Sequence, residues 1–440
     1  MPRGEMHLVA YLKTGPTANH MGAWRHPEST LDDVMRPERY EHIARVLEDG
    51  FFDACFFADG LGLHDLYQGG YETRLRLGGQ ISMLDPMMVL PLMARATKHL
   101  GVGTSLSTTF HQPYMLARML ASLDNLTGGR VAWNIVTSTR REEARNFGMD
   151  DLPDREVRYD MADEFVDACC RLWDGWEADA VVMDREAGVM VDGTKVHYAD
   201  YKGTYHKTRG PLTIPRSPQD RPILMQAGSS GRGREFAARW AEVIFTPARN
   251  KAEMQDFYQD MHARFEAAGR NPRDCTILPS MTVVVGETDA IAKEKADYVN
   301  SLIDPELELA MQSSNMGIDL SKKIESLEEA QKVRGPQGMH VAFARIEELM
   351  KAEGLTFDEA VKKDKRDKMI FGSPKTVADQ LTDLFESRAC DGFIIEQMVV
   401  PSSLEEFCRS VVPELQRRGV FRREYRGTTL RDNLRMTPRD

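Results

Sequence analysis

What the sequence lacks narrows its role first. No apolar stretch among its 440 residues approaches the length that crosses a bilayer. No basic run of five or more occurs, and the net charge of -11 argues against non-specific binding to nucleic acid or to an anionic membrane. The six cysteines, at 55, 169, 170, 275, 390 and 408, form no CxxC pair and no zinc-type cluster with histidine. Cys55 lies in the apolar run Phe51–Ala58, and Cys169 and Cys170 lie in a helical pattern. Buried, reduced, structural thiols are expected, and no metal. The first residues, Met1-Pro2-Arg3-Gly4-Glu5, carry no apolar secretory core, so the expected location is the cytoplasm. There is no Ser-His-Asp order and no paired-carboxylate signature. Gly228-Ser229-Ser230-Gly231-Arg232-Gly233 does not match the dinucleotide turn GxGxxG. A chain without an evident acid, base or metal points to a cofactor as the carrier of the chemistry.

What is present is a strand–helix rhythm. Short apolar runs read as strands at 6–12, 51–58, 102–109, within 129–139, and at 222–226, 242–246, 275–285 and 391–397. Between them lie helical patterns such as Pro37–Asp49, Pro86–Ala96, Pro113–Asn125 and Tyr159–Trp176. Met87, Met88, Met93, Met115 and Met119 fall at helical spacing and read as core fillers. Eight strands alternating with helices predict one α/β domain over 1–440, a (β/α)8 TIM barrel. Two insertions interrupt it, after strands 4 and 7, at about 177–220 and 303–371. The first reads as an excursion over the active face. The Arg-rich segment 418–440 reads as a C-terminal arm, packed on a partner subunit or loose.

In such barrels ligands gather at the C-terminal ends of the strands. The stretch Gly129–Thr139 ends there in Thr137-Ser138-Thr139, and it equally fits a core strand followed by a helix cap. Asp59 ends the second strand in the same manner. Ala227-Gly228-Ser229-Ser230 runs into a helix, offering free backbone N–H groups and a positive dipole end to a phosphate; an ordinary serine-capped turn has the same pattern. The loops 13–27, 60–84 and the insertion 303–371 are placed to line a pocket, with His20, His64 and Gln80 among their polar residues.

Several blocks carry a family resemblance: WRHP (24–27), FFADG (56–60), DPMM (85–88), the run from Ser107 through GRVAWNIVTS to Ser138, RYDMADEF (158–165), QAGSSGRGREFAA (226–238) and VVPELQRRG (411–419). Together they resemble the bacterial-luciferase-like flavin monooxygenases, in the branch of the nitrilotriacetate, dibenzothiophene-sulfone and long-chain-alkane enzymes. The resemblance implies a homodimeric or homotetrameric luciferase-like barrel. It implies reduced FMN, supplied by a separate NAD(P)H:flavin reductase, which reacts with O2 as co-substrate through a peroxyflavin to oxidise a small organic molecule. Carried over by position, Asp59, Ser138, Thr139, Tyr159, Ala227, Gly228, Ser229 and Ser230 look like FMN contacts. His64, Gln80, His111 and Asn134 are the candidates for roles near the reacting atoms. The mixed first loop (Leu12, His20, Met21, Trp24) leans toward an aromatic or heterocyclic substrate. Two other readings fit the same barrel: hydride transfer with a flavin or deazaflavin, and flavin binding without turnover.

Overall fold

The eight apolar runs form eight parallel strands: β1 (His7–Leu12), β2 (Ala54–Phe57), β3 (Gly101–Ser107), β4 (Val131–Val136), β5 (Ile223–Gln226), β6 (Val243–Pro247), β7 (Thr276–Val285) and β8 (Gly392–Glu396). Each pairs with its sequence neighbours, and β8 returns to β1 through His7↔Gly392 to Tyr11↔Glu396. The ring is closed: a TIM barrel. The computed structural model describes residues 4–17, 19–228, 231–247, 250–324, 326–333, 340–363 and 369–434.

Alternation along the strands sorts the side chains. Val9, Ala54, Phe56, Ala132, Met225, Phe245 and Ile394 face inward, with the Phe56 and Phe245 rings stacked at 4.4 Å. Leu8, Cys55, Val102, Trp133 and Phe393 face the surrounding helices. The helices that matter for the site are α1 (Pro37–Asp49), α2 (Glu72–Leu77), α3 (Pro86–Ala96), α4 (Pro113–Leu126), α5 (Arg141–Asn146), α6 (Arg155–Trp173), α7 (Gly231–Trp240), α8 (Lys251–Ala267), α9 (Asp289–Ser301) and α10 (Pro305–Met316). Proline opens α1, α3, α4 and α10, where its missing N–H costs nothing. No disulfide joins the six cysteines, five of which are buried and one, Cys408, half-buried.

Four expectations change. The segment 177–220 does not cover the active face. It begins where α6 ends and folds back along the outside of that helix, where Glu164 accepts the Thr204 and Tyr205 amides at 2.8 and 2.7 Å. It finishes below the barrel, with Ser217 and Gln219 donating to Asp124. The loop after β2 carries a helix of its own, α2. Met88 and Met115 are 67% and 58% exposed, on the outer faces of α3 and α4, whereas Met87 and Met93 are core.

Residues 418–434 are the fourth. They close the barrel floor rather than reaching outward. Arg422 pairs with buried Asp53, which also accepts from His7 Nδ1 at 2.9 Å, and Leu430 and Leu434 enter the interior cluster. Buried carboxylates at the strand bases draw in these arginines, because a charge is tolerated inside only when paired. The insertion after β7 places α10 over the top of the barrel. Its strand Ile370–Gly372 extends the far end of β7.

Candidate functional site

Above the apolar core the inward positions become polar. Ser105 and Ser107 of β3 face Asn134 and Ser138 at the end of β4. Asn134 Nδ2 donates to Ser105 Oγ at 2.7 Å, and the Ser107 and Ser138 hydroxyls are 2.9 Å apart. Ser138 has φ of 56°, which turns the chain sharply out of the strand. Across the ring, Glu396 of β8 accepts Thr282 Oγ1 at 2.5 Å and also the Ser280 hydroxyl and the Asn19 amide. Tyr11, opposite Glu396 in register, has its hydroxyl pushed up by burial and by that carboxylate.

This ring opens into a cavity of about 780 Å³, walled by the loop after β1, the 60–82 segment, the start of α5 and α10. His64, 8% exposed, lies in its wall with Nδ1 3.0 Å from Glu142 Oε1. Burial first, then Arg140, Arg74 and Lys13, holds the His64 imidazole well below its usual range, so it is neutral at pH 7. Burial pushes the Glu142 carboxyl up. Gln80 donates to Asn19 O at 2.8 Å and fixes the first loop, while His20 Nε2 lies 3.0 Å from Asn300 Oδ1 of α9. The first loop, the 60–84 segment and the second insertion do meet at one space.

The remaining sequence candidates stand apart from this wall. His111 donates from Nδ1 to the Ser107 carbonyl at 2.8 Å, a helix-start histidine that ties β3 to α4. Asn134 is buried in the ring beneath. Asp59 is half-buried and accepts the Gly60 amide at 2.9 Å, and burial pushes its carboxyl above the usual range. Thr139 is exposed. Tyr159 sits in the second turn of α6, because that helix starts at Arg155. Its ring packs edge-on against Phe236 of α7 at 5.7 Å, and the Arg155 and Arg232 guanidiniums lie 5.5 and 5.4 Å from it. Tyr159 therefore adjoins the helix that the Gly/Ser turn feeds. Ala227 and Gly228 lie at the end of β5; Ser229 and Ser230 lie outside the described residues.

Sequence reasoning missed Lys13, Asn19, Arg74, Arg140, Glu142 and Glu396. Lys13 and Glu396 end inward-facing strand rows, which a strict two-residue count from Val9 and Ile394 reaches. Arg74 and Arg140 give no such signal.

The site fits a flavin in one respect. Asn134 Oδ1 and Gln226 Oε1 are buried side-chain oxygens without a hydrogen-bond partner among the described residues. Acceptors of that kind need N–H or O–H donors, and a flavin ring and its ribityl chain supply both.

The luciferase-like monooxygenase family matches residues 17–391. The dibenzothiophene-sulfone monooxygenase of Rhodococcus erythropolis (strain XP) is 43% identical over 442 residues, covering 98% of this chain and 96% of its own. Nitrilotriacetate monooxygenase component A of Aminobacter aminovorans is 37% identical, over 94% of this chain and 93% of its own. The crystal structure of a riboflavin lyase with modified FMN and riboflavin superposes with a TM-score of 0.89 at 30% identity, over 98% and 95% of the two chains.

Proposed function

The chain belongs to the luciferase-like monooxygenase family and is a flavin-dependent monooxygenase; from that premise we propose that it takes reduced FMN from a separate NAD(P)H:flavin reductase and oxidises a small organic molecule in the cavity above β1, β2 and β4. The observation that carries this reading is the unpaired amide oxygens of Asn134 and Gln226 in the barrel ring. When bound, reduced FMN would supply the electrons that let O2 deliver one oxygen atom to the substrate.

The residues proposed to hold the cofactor are Asp59, Ser138, Thr139, Tyr159 and Ala227 to Ser230. The Gly/Ser turn ahead of α7 would take the phosphate, because a helix N-terminus carries free N–H donors and positive potential. The segment 60–82 and α10 would exclude water from the reacting atoms. Neutral His64 would position a substrate group by a hydrogen bond at Nε2, because burial and then Arg140, Arg74 and Lys13 oppose its protonation. Substrates with an aromatic or heterocyclic body suit the apolar part of the wall, Met21, Leu61, Leu63 and Met311. The nitrilotriacetate relative is component A of its enzyme, which supports a division of labour with a second protein here. Exposed Met88 and Leu92, four residues apart on α3, and Met115 on α4 support association with a second copy of this chain.

Titration of the purified protein with reduced and oxidised FMN tests the reading. Reduced FMN should bind more tightly, and Ser138→Ala and Tyr159→Phe should weaken it. Turnover under labelled O2 should place one label in product. Product without label would move the enzyme to hydride transfer, and failure to bind either form of FMN would overturn the cofactor assignment.

A further inference from the structure

Three cations from three separate segments face the same cavity. Lys13 follows β1, Arg74 lies on α2, and Arg140 precedes α5. Arg74 is only 4% exposed, yet its guanidinium donates to the Ser314 hydroxyl at 2.9 Å and has no carboxylate within ion-pair distance among the described residues. Lys13 likewise has no such partner, and the nearest carboxylate oxygen to Arg140 is Glu143 Oε1, at a loose 3.7 Å. Burial leads in pushing Lys13 to about 8 and Arg74 to about 9, and the Arg140 charge adds to both.

The acidic groups nearby are turned to other work. Glu142 faces His64, Glu143 accepts the Leu61 amide at 3.2 Å, and Asp59 accepts the Gly60 amide. Asp297, on the wall, pairs with Lys293 at 2.5 Å, and Glu308 lies on the α10 side. A buried guanidinium without a carboxylate is costly in the empty protein, and an incoming anion removes that cost. A planar arginine fork matches the two oxygens of an oxyacid.

We propose that the substrate carries an anionic oxyacid group, a carboxylate or a sulfonate, seated among Lys13, Arg74 and Arg140, with its apolar body against Met21, Leu63 and Met311. The inference rests on the monooxygenase reading for the word substrate. The same chemistry could come from the phosphate of FMN, and the test separates the two sources.

Calorimetric titration of the full-length protein with benzoate and benzenesulfonate, against neutral benzamide, reads the site directly. Both anions should bind more tightly than benzamide by about tenfold or more. Lys13→Met and Arg74→Gln should each weaken the anions by about tenfold and leave benzamide unchanged, with Arg74→Lys retaining part of the affinity. Thermal melts confirm that each variant is folded. Equal binding of anions and amide, or anion binding untouched by both variants, overturns the proposal. FMN and riboflavin are titrated in parallel: if Arg74→Gln weakens FMN but not riboflavin, the cations serve the cofactor's phosphate and the substrate assignment falls. If the wild type binds the anions but neither flavin, the cofactor reading fails while the anion site stands.

Discussion

His64 Nδ1, in the cavity wall, lies 3.0 Å from Glu142 Oε1, both side chains nearly buried, although 78 positions separate them in the chain. Burial, and then the surrounding cations, keep the ring neutral. Replacing His64 with Phe should lower kcat/KM by about tenfold, the scale of one lost hydrogen bond to substrate. FMN affinity should stay as in the wild type. The pH–rate profile should show no histidine ionisation between roughly pH 6 and 8, because the imidazole is already uncharged there. An inflection near 6.5 that vanishes in His64→Phe would contradict this picture.

Lys13 supplies the pH dependence of the anion site. Its ammonium group titrates near 8, depressed by burial and by Arg140 and Arg74, with Asp59 and Glu143 acting in the opposite sense. Below that pH it is a cation and above it is neutral. Benzoate affinity should therefore fall as pH rises through about 8, and Arg74, pushed to about 9 by burial first, extends the fall at higher pH. His64, neutral throughout, contributes nothing to the change. Calorimetry should show the step near 8 in the wild type and its loss in Lys13→Met, where only the later fall remains.

Arg431 Nη1 donates to Glu242 Oε1 at 2.6 Å under the barrel, with both side chains at or below 5% exposure. Removing one member strands the other inside. Arg431→Met should cost about 3–5 kcal/mol in urea unfolding. Asp53, held below the usual range because Arg422 and His7 outweigh its burial, adds a pH term of known sign. Its stabilisation is present above the ordinary aspartate range near 3.9 and is lost as pH falls through its lower folded value. Acid unfolding of Arg422→Met should begin at higher pH than in the wild type.

Asp124 behaves in the opposite way. Burial pushes its carboxyl up to about 6 in the folded chain, although Ser217, Val131 and Gln219 all donate to it. Its proton-linked stabilisation is complete below about pH 4 and is lost as pH rises through about 6. Asp124→Asn keeps an acceptor for the Val131 amide and a donor toward Ser217, so it should flatten this slope. Its stability at pH 7 should lie within about 1 kcal/mol of wild type. Asp124→Ala leaves three donors buried without an acceptor and should cost about 2–3 kcal/mol or more.

The barrel is legible because its information is local. Each strand is an apolar run bounded by glycine or polar residues, and the order strand–helix–strand admits few topologies. The pocket's location is legible for a similar reason: long polar segments must leave the barrel at the strand ends. Its charge is not. Arg74 and Arg140 are ordinary surface cations by spacing, and only the folded ring sets them beside Lys13, the one of the three that strand alternation points inward. The segment 418–434 misleads for the reason that makes it work. An Arg-rich stretch resembles a solvated arm, yet Arg422 and Arg431 are buried by carboxylates on β-strand bases far earlier in the chain. Ser138 shows the mixture: the sequence places it at a strand end, while its left-handed backbone follows from the sharp exit to α5.

The floor also imposes an order on synthesis. Leu430, Leu434, Arg422 and Arg431 are all made after β8, so a nascent chain that has extruded every strand still has an open, apolar base. Until those residues emerge, Val9, Ala54 and Ala132 face water at one end of an otherwise complete ring. Translation that stalls between Glu396 and Arg422 would leave a species whose exposed base is a target for chaperones, and closure is a step that only residues made after β8 can perform.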